Sequence, residues 1–340
     1  MNTSSPATAS ASGFTHTAAP LTANLRLLTA LYCIIPVCAA VVAIDTLYLN
    51  HSLRLNYLPS SPTSWLIWAL VFDTPHILAS FFSFADKEYY RFYKVRIIKA
   101  LMGFSLLVVL VTVIAPLVLP SAIVTLLTML FTTFLVTYTM YHVLSQQLGV
   151  ALSTMKIRPG KLYNPFRWCA TLAGTFMYAL AILGVDAYLV PIFEALAAAF
   201  IAITCVLGYN LAKTSNNRQG VFYLYSNLVM LIATYAFLRL GYGVFVIMVP
   251  RFVHDITAFY IYAVHDHNRN LQTRHNYIYR ALYFISPLIV CPVLAISLSA
   301  VLEQSVWLVT PLLVIALLHY YVEGFIWRGD TLHRRQVAFR

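Results

Sequence analysis

Asp73 and His76, His142 with Gln146, His254 with Asp255, His265 with Asp266 and His267, and His319 with Glu323 all lie within or at the end of apolar runs. An ionisable side chain in hydrocarbon costs at least a few kcal/mol, so such residues are kept for function or for a paired structural role. Asp73 and His76 are three apart, and His142 and Gln146 four apart, so on helices each pair shares a face. His319 and Glu323 have the i, i+4 spacing by which one helix offers two ligands to a metal in a bundle. Imidazoles and carboxylates gathered at similar depth read first as a metal centre.

The elements that must position these groups are membrane-spanning helices. About 20 apolar residues cross the hydrocarbon. The sequence divides into ten such stretches: 25–48, 64–85, 97–118, 121–150, 167–189, 191–212, 221–238, 242–267, 278–301 and 305–327. The break between the seventh and eighth is the least defined, because Gly241, Gly243 and Pro250 all interrupt the pattern. With the N-terminus in the cytoplasm, the inner segments and helix ends carry nineteen of the 22 lysines and arginines, and Arg54, Arg239 and Arg251 are the exceptions. That asymmetry satisfies the positive-inside rule and implies cytoplasmic N- and C-termini. The second, fourth, eighth and tenth spans then all run inward, and they hold the intramembrane histidines. At 1.5 Å per residue, His76, His254 and His319 lie roughly 18–21 Å along their spans, just past the midplane.

Composition agrees with this class. The chain of 340 residues is 61% hydrophobic and 10% charged, against about a quarter charged in soluble domains. The expected fold is an all-α, polytopic membrane helix bundle of about ten transmembrane helices, an integral multi-pass protein of a bacterial inner membrane. Residues 1–22, rich in Ser, Thr and Ala, read as a disordered N-terminal tail, 23–328 as one transmembrane domain, and 329–340 as a basic cytoplasmic tail. The net charge of +11 lies in short loops between spans, which suits lipid headgroups and not nucleic acid. The five cysteines are scattered with no C-x-x-C, so neither a disulfide framework nor a thiolate zinc site is indicated.

His76, His142, His254, His265 and His319 are the candidate metal ligands, and Asp73, Asp255 and Glu323 are candidate co-ligands or partners that fix the imidazoles. Arg251, inside a span, calls for a partner in Asp73, Asp255 or a lipid anion. His254 and His265 are eleven residues apart, three turns and about 16 Å along an unbroken helix, so one ion cannot take both unless the helix bends. His267 and Gln147 read as interfacial, and His16, His51, His275 and His333 as tail or loop residues. Imidazoles with carboxylate support suit iron (Fe2+) first, with zinc, copper or manganese as alternatives. A histidine-held iron in a bilayer is suited to activating dioxygen against an apolar isoprenoid or lipid substrate.

Three motifs carry a resemblance. The Thr74-Pro75-His76 step, the Tyr141-His142 step, and Phe259-Tyr260 leading into His265-Asp266-His267 resemble the Brp/Blh-like membrane β-carotene 15,15′-dioxygenase family. The resemblance implies non-haem ferrous iron held by histidines and cleavage of the central double bond of a carotenoid to give retinal. It further implies His76, His142 and His265 as ligands, with His254 or His319 completing the set.

Two other functions use the same residues differently. A proton-coupled transporter would run protons along the Asp-His pairs and bind an anion at Arg251. A b-type haem protein would take axial histidines from facing helices. The sequence leaves substrate, metal identity and oligomeric state open.

Overall fold

The computed structural model describes residues 19–59, 74–272, 309–329 and 331–340, with a few helical residues between 290 and 297. Asp73, residues 1–18 of the expected tail and most of the 278–301 span lie outside the described residues. Among the described residues the architecture is all-helical apart from one two-residue strand pair.

Helix α1 covers Leu25–Leu47, with a 3-10 turn at Leu31–Cys33. Asn24 caps it, its side chain accepting from the amides of Arg26 and Leu27. At the far end Asp45 accepts from the amides of Leu53 (2.8 Å) and Arg54 (3.0 Å) and from the Tyr242 hydroxyl (2.8 Å). This carboxylate ties the turn after α1 to the start of another helix.

Helix α2 is Thr74–Phe82, extended by a 3-10 turn at Ser83–Ala85. Pro75 sits in its first turn, where a missing amide costs nothing. Helix α3, Lys87–Val118, starts ten residues before the apolar run does. Asp86 caps it, accepting from the amides of Glu88 and Tyr89, and Tyr89 and Tyr93 turn inward at i, i+4. The segment expected as an inner loop is thus an amphipathic helical extension. Helix α4 (Ser121–Met155) ends at Lys156 in the left-handed conformation, φ 57°.

Helices α5 (Tyr163–Ile182), α6 (Val190–Ala212) and α7 (Arg218–Arg239) follow. Helix α8 runs over Gly243–Gln272 with Pro250 inside it. Gly241, at φ +80°, makes the tight turn between α7 and α8 and so fixes the boundary left undefined by the sequence. The tenth expected span appears as α9, Val309–Ile326. Six of the described helices are long and apolar enough to cross a membrane: α1, α3, α4, α6, α7 and α8.

The most apolar stretch of α8 is 67% buried and that of α3 only 11%, so α8 is the axis of the bundle and α3 lies on its perimeter. One apolar core joins α8 to α1, α4, α5, α6 and α7. A second joins it to α2, α3 and α9. Helix α7 approaches the end of α4 so closely that a Cβ on Gly220 would meet the Met155 amide nitrogen at 2.5 Å, so only glycine fits there.

The two ends of the described chain meet. Strands β1 (Thr22–Ala23) and β2 (Ala338–Phe339) pair in parallel, with Thr22 opposite Ala338. Asn268 of α8 holds both segments, accepting from the Leu21 amide (2.7 Å) and donating to the carbonyls of Leu21 (2.8 Å) and Gln336 (2.7 Å). The last ten residues therefore pack back under the bundle.

Candidate metal centre

Helix α8 packs on α2 and α4, and α9 packs on the same two helices. Where the four meet, His76 (α2), His142 (α4), His254 (α8) and His319 (α9) turn inward and are buried, together with Asp255 and Glu323. The rings form one cluster. His76 lies 4.7 Å from His319 and 5.2 Å from His254, and His142 lies 4.7 Å from His254 and 5.0 Å from His319, all centroid to centroid and edge to face.

The nitrogens converge. His76 Nε2 and His319 Nε2 are 3.0 Å apart. The Ser80 hydroxyl stands 2.8 Å from His319 Nδ1 and 2.7 Å from the Ile77 carbonyl, to which it can donate. The Asp255 carboxylate stands 3.3 Å from His76 Nδ1. These outer contacts orient both rings so that their Nε2 atoms point at one another, and at 3.0 Å in a buried site a proton or a metal cation must lie between or beside them.

The spacing suits a metal ion. Two nitrogens each about 2.1 Å from an ion and at roughly 90° to one another are about 3.0 Å apart. Ligand atoms of His76, His142 and His319 all lie within 4.8 Å of one another, as do those of His76, His254 and Asp255. His142 Nε2 is 3.6 Å from Glu323 Oε2 and, like His254 Nδ1, is a buried nitrogen with no hydrogen bond among the described residues. Arg251 finds its partner one turn on, its Nε 3.5 Å from Asp255 Oδ2. The residues present therefore fit a metal: four imidazoles, two carboxylates, and outer contacts that fix ring orientation.

His265 is not in this cluster. Its ring stacks on that of His333 (4.8 Å, 9° between planes) at the end of α8 where the chain termini meet. Each His265 nitrogen is taken, Nδ1 by Asp266 (2.9 Å) and Nε2 by the Tyr89 hydroxyl (3.1 Å). His333 Nε2 bonds the Ser83 hydroxyl (2.9 Å). Below them Arg269 pairs with Asp86 (2.8 Å) and Glu88 (2.5 Å). Burial alone would raise the Asp86 pKa, but the Arg269 bonds and two backbone amides hold it below the usual carboxylate range. Burial pushes His333 well below the ordinary histidine range, and the neighbouring His265 and Arg269 push the same way, so the ring is neutral.

Four of the five candidate histidines thus meet, with Asp255, Glu323 and Arg251, and the fifth lies in a second cluster. Ser80 and Tyr320, which stacks on His142 at 4.5 Å, were missed. Ser80 lies four residues after His76, the spacing of a same-face neighbour, which is the signal that could have found it. His333 carried no such signal, since it sits in a basic segment past the last span. Gln147 is fully buried and accepts from Tyr32 (3.2 Å) and Tyr223, so it knits α1, α4 and α7 together instead of facing an interface. No family model, curated protein or solved structure matches this chain.

Proposed function

We propose that the protein is a membrane-embedded oxygenase whose histidine-ligated, non-haem iron acts on an apolar isoprenoid, carotenoid or lipid that enters from the bilayer. The observation that carries this reading is the convergence of His76 Nε2 and His319 Nε2 at 3.0 Å, with two further buried imidazoles against them. His76, His319, His142 and His254 would hold the ion. Glu323 would complete the set beside His142, and Asp255, held by Arg251, would fix the His76 ring. When bound, ferrous iron supplies activation of dioxygen, and a site at midplane depth keeps water away from it. The ten-span bundle with both termini cytoplasmic, in a bacterial inner membrane, belongs to the same proposal and is supported by the distribution of basic residues. The motif resemblance to the carotene-cleaving family is consistent with the reading; of its late histidines, His265 lies in the second cluster and His267 faces the Ala19 carbonyl.

The test is elemental analysis of detergent-purified protein grown with iron, beside His76→Ala and His319→Ala. About one or two iron ions per chain, lost in both variants, is expected; wild type that stays metal-free after anaerobic iron loading overturns the reading. That outcome would favour a proton-coupled carrier, in which a shared proton and not a metal separates His76 Nε2 from His319 Nε2. A haem is disfavoured because rings packed at 4.7 to 5.2 Å leave no slot for a macrocycle.

A further inference from the structure

Away from the histidines, α1 and α7 diverge to leave a groove of about 570 Å³. Small-molecule sites span ~300–1,000 Å³. Arg26 and Arg218 stand at one end of it, each in the first turn of its helix and each exposed, with no acidic partner among the described residues. The rest is mostly apolar: Ala30, Pro36 and Phe222 line its length, and the hydroxyls of Thr29 and Ser226 are turned to carbonyls of their own helices. From Leu25 to Pro36 it follows α1 for about 16 Å, roughly half the hydrocarbon thickness. Tyr32 forms part of its wall, and the Tyr32 hydroxyl is committed to Asn227 (2.8 Å), so it offers the groove its ring.

We infer that this groove is a binding site for one anionic glycerophospholipid, with the phosphate between Arg26 and Arg218 and an acyl chain along Ala30, Pro36 and Phe222. Charge and shape argue together. Two guanidiniums at the end assigned to the cytoplasm by the basic-residue pattern meet a phosphate at headgroup depth, where arginine forks match its oxygens. A soluble phosphate would leave the apolar length unused. A neighbouring helix would have to bring carboxylates to both arginines. The inference stands on residues separate from the metal centre, so either proposal can fail alone.

The test is native mass spectrometry of delipidated full-length protein titrated with palmitoyl-oleoyl phosphatidylglycerol or phosphatidylcholine. One tightly retained phosphatidylglycerol per chain is expected. The Arg26→Gln/Arg218→Gln double variant should bind it roughly thirtyfold more weakly, the combined effect of two basic residues near a membrane surface. Ala30→Trp, which fills the groove and keeps both arginines, should lose the retained lipid too. Melting temperature and iron content should be unchanged in the double variant, whose substitutions are on exposed residues. Equal binding of the two lipids, retention by either variant, or a dimer mass in place of the lipid adduct would each overturn the inference; the last would assign the groove to a second copy.

Discussion

The two histidine clusters are built from the same kinds of side chain, each with one histidine on the central helix α8, and differ in where the ring nitrogens point. In the α2–α4–α8–α9 cluster the nitrogens converge, two of them only 3.0 Å apart. In the cluster at the end of α8 the rings of His265 and His333 lie parallel, and both His265 nitrogens are held by Asp266 and Tyr89. Converging nitrogens form a group that could hold a metal, whereas the stacked rings, bonded to Asp266, Tyr89 and Ser83, tie segments together. Burial is nearly the same in both, so it does not tell them apart. The joint also has the chemistry of a fastening: an Arg269–Asp86–Glu88 ion pair, the Asn268 bridge and the β1–β2 pair all lie beside it.

The sharpest way to break the comparison is metal content across both clusters. His76→Ala, His254→Ala and His319→Ala are expected to lose essentially all bound iron, while His265→Ala and His333→Ala retain it. Comparable loss on both sides in elemental analysis would mean the clusters form one functional unit. A second experiment removes the fixing groups only. Ser80→Ala and Asp255→Asn keep every imidazole, and each should weaken metal affinity about 10–100-fold, read by competition with a chelator. Unchanged affinity would show that the rings are not oriented by Ser80 and Asp255.

The joint should answer to stability and not to metal. Arg269→Ala leaves Asp86 without its buried partner and should cost about 2–3 kcal/mol, measured by thermal unfolding in detergent, with iron content preserved. A smaller effect concerns pH. His333 in the folded protein has a pKa below its unfolded value near 6.5, so below that pH the unfolded state binds the extra proton. The stability contributed by burying neutral His333 is full above about pH 6.5 and declines as pH falls. Asp86, depressed in the folded state, loses its contribution only in the more acidic range where carboxylates protonate. Amide hydrogen exchange over residues 331–340 should therefore quicken from pH 7 to pH 5.5 in wild type. It should stay flat in His333→Phe once corrected for intrinsic rates. A pH response that survives the substitution would assign it to another group.

Several features could be read directly. The segments with histidines reappear as helices α2, α4, α8 and α9, and Arg251 meets one of the partners its position required, Asp255. Apolar runs marked most helices to within a few residues, but where helices started in polar sequence they were shortened. Lys87–Val109 is the clearest case, since its first three turns are basic outside and tyrosine inside. A hydropathy run reports lipid contact, whereas a helix continues as long as capping and inward packing support it.

Height along each helix was determined by sequence alone, because each helical residue advances about 1.5 Å. The separation of His254 from His265 followed from the same count. What tertiary structure decided is azimuth and return. Whether His76 faces His319 or lipid depends on how α2 rotates against α9, a property of packing between segments more than two hundred residues apart. Likewise only the fold could bring His333 under the bundle beside Ser83, because the pairing of β2 with β1 and the grip of Asn268 are contacts with no local signature. Local periodicity fixes a residue's height and face on its own helix; the neighbour it meets is fixed by the packing of all the others.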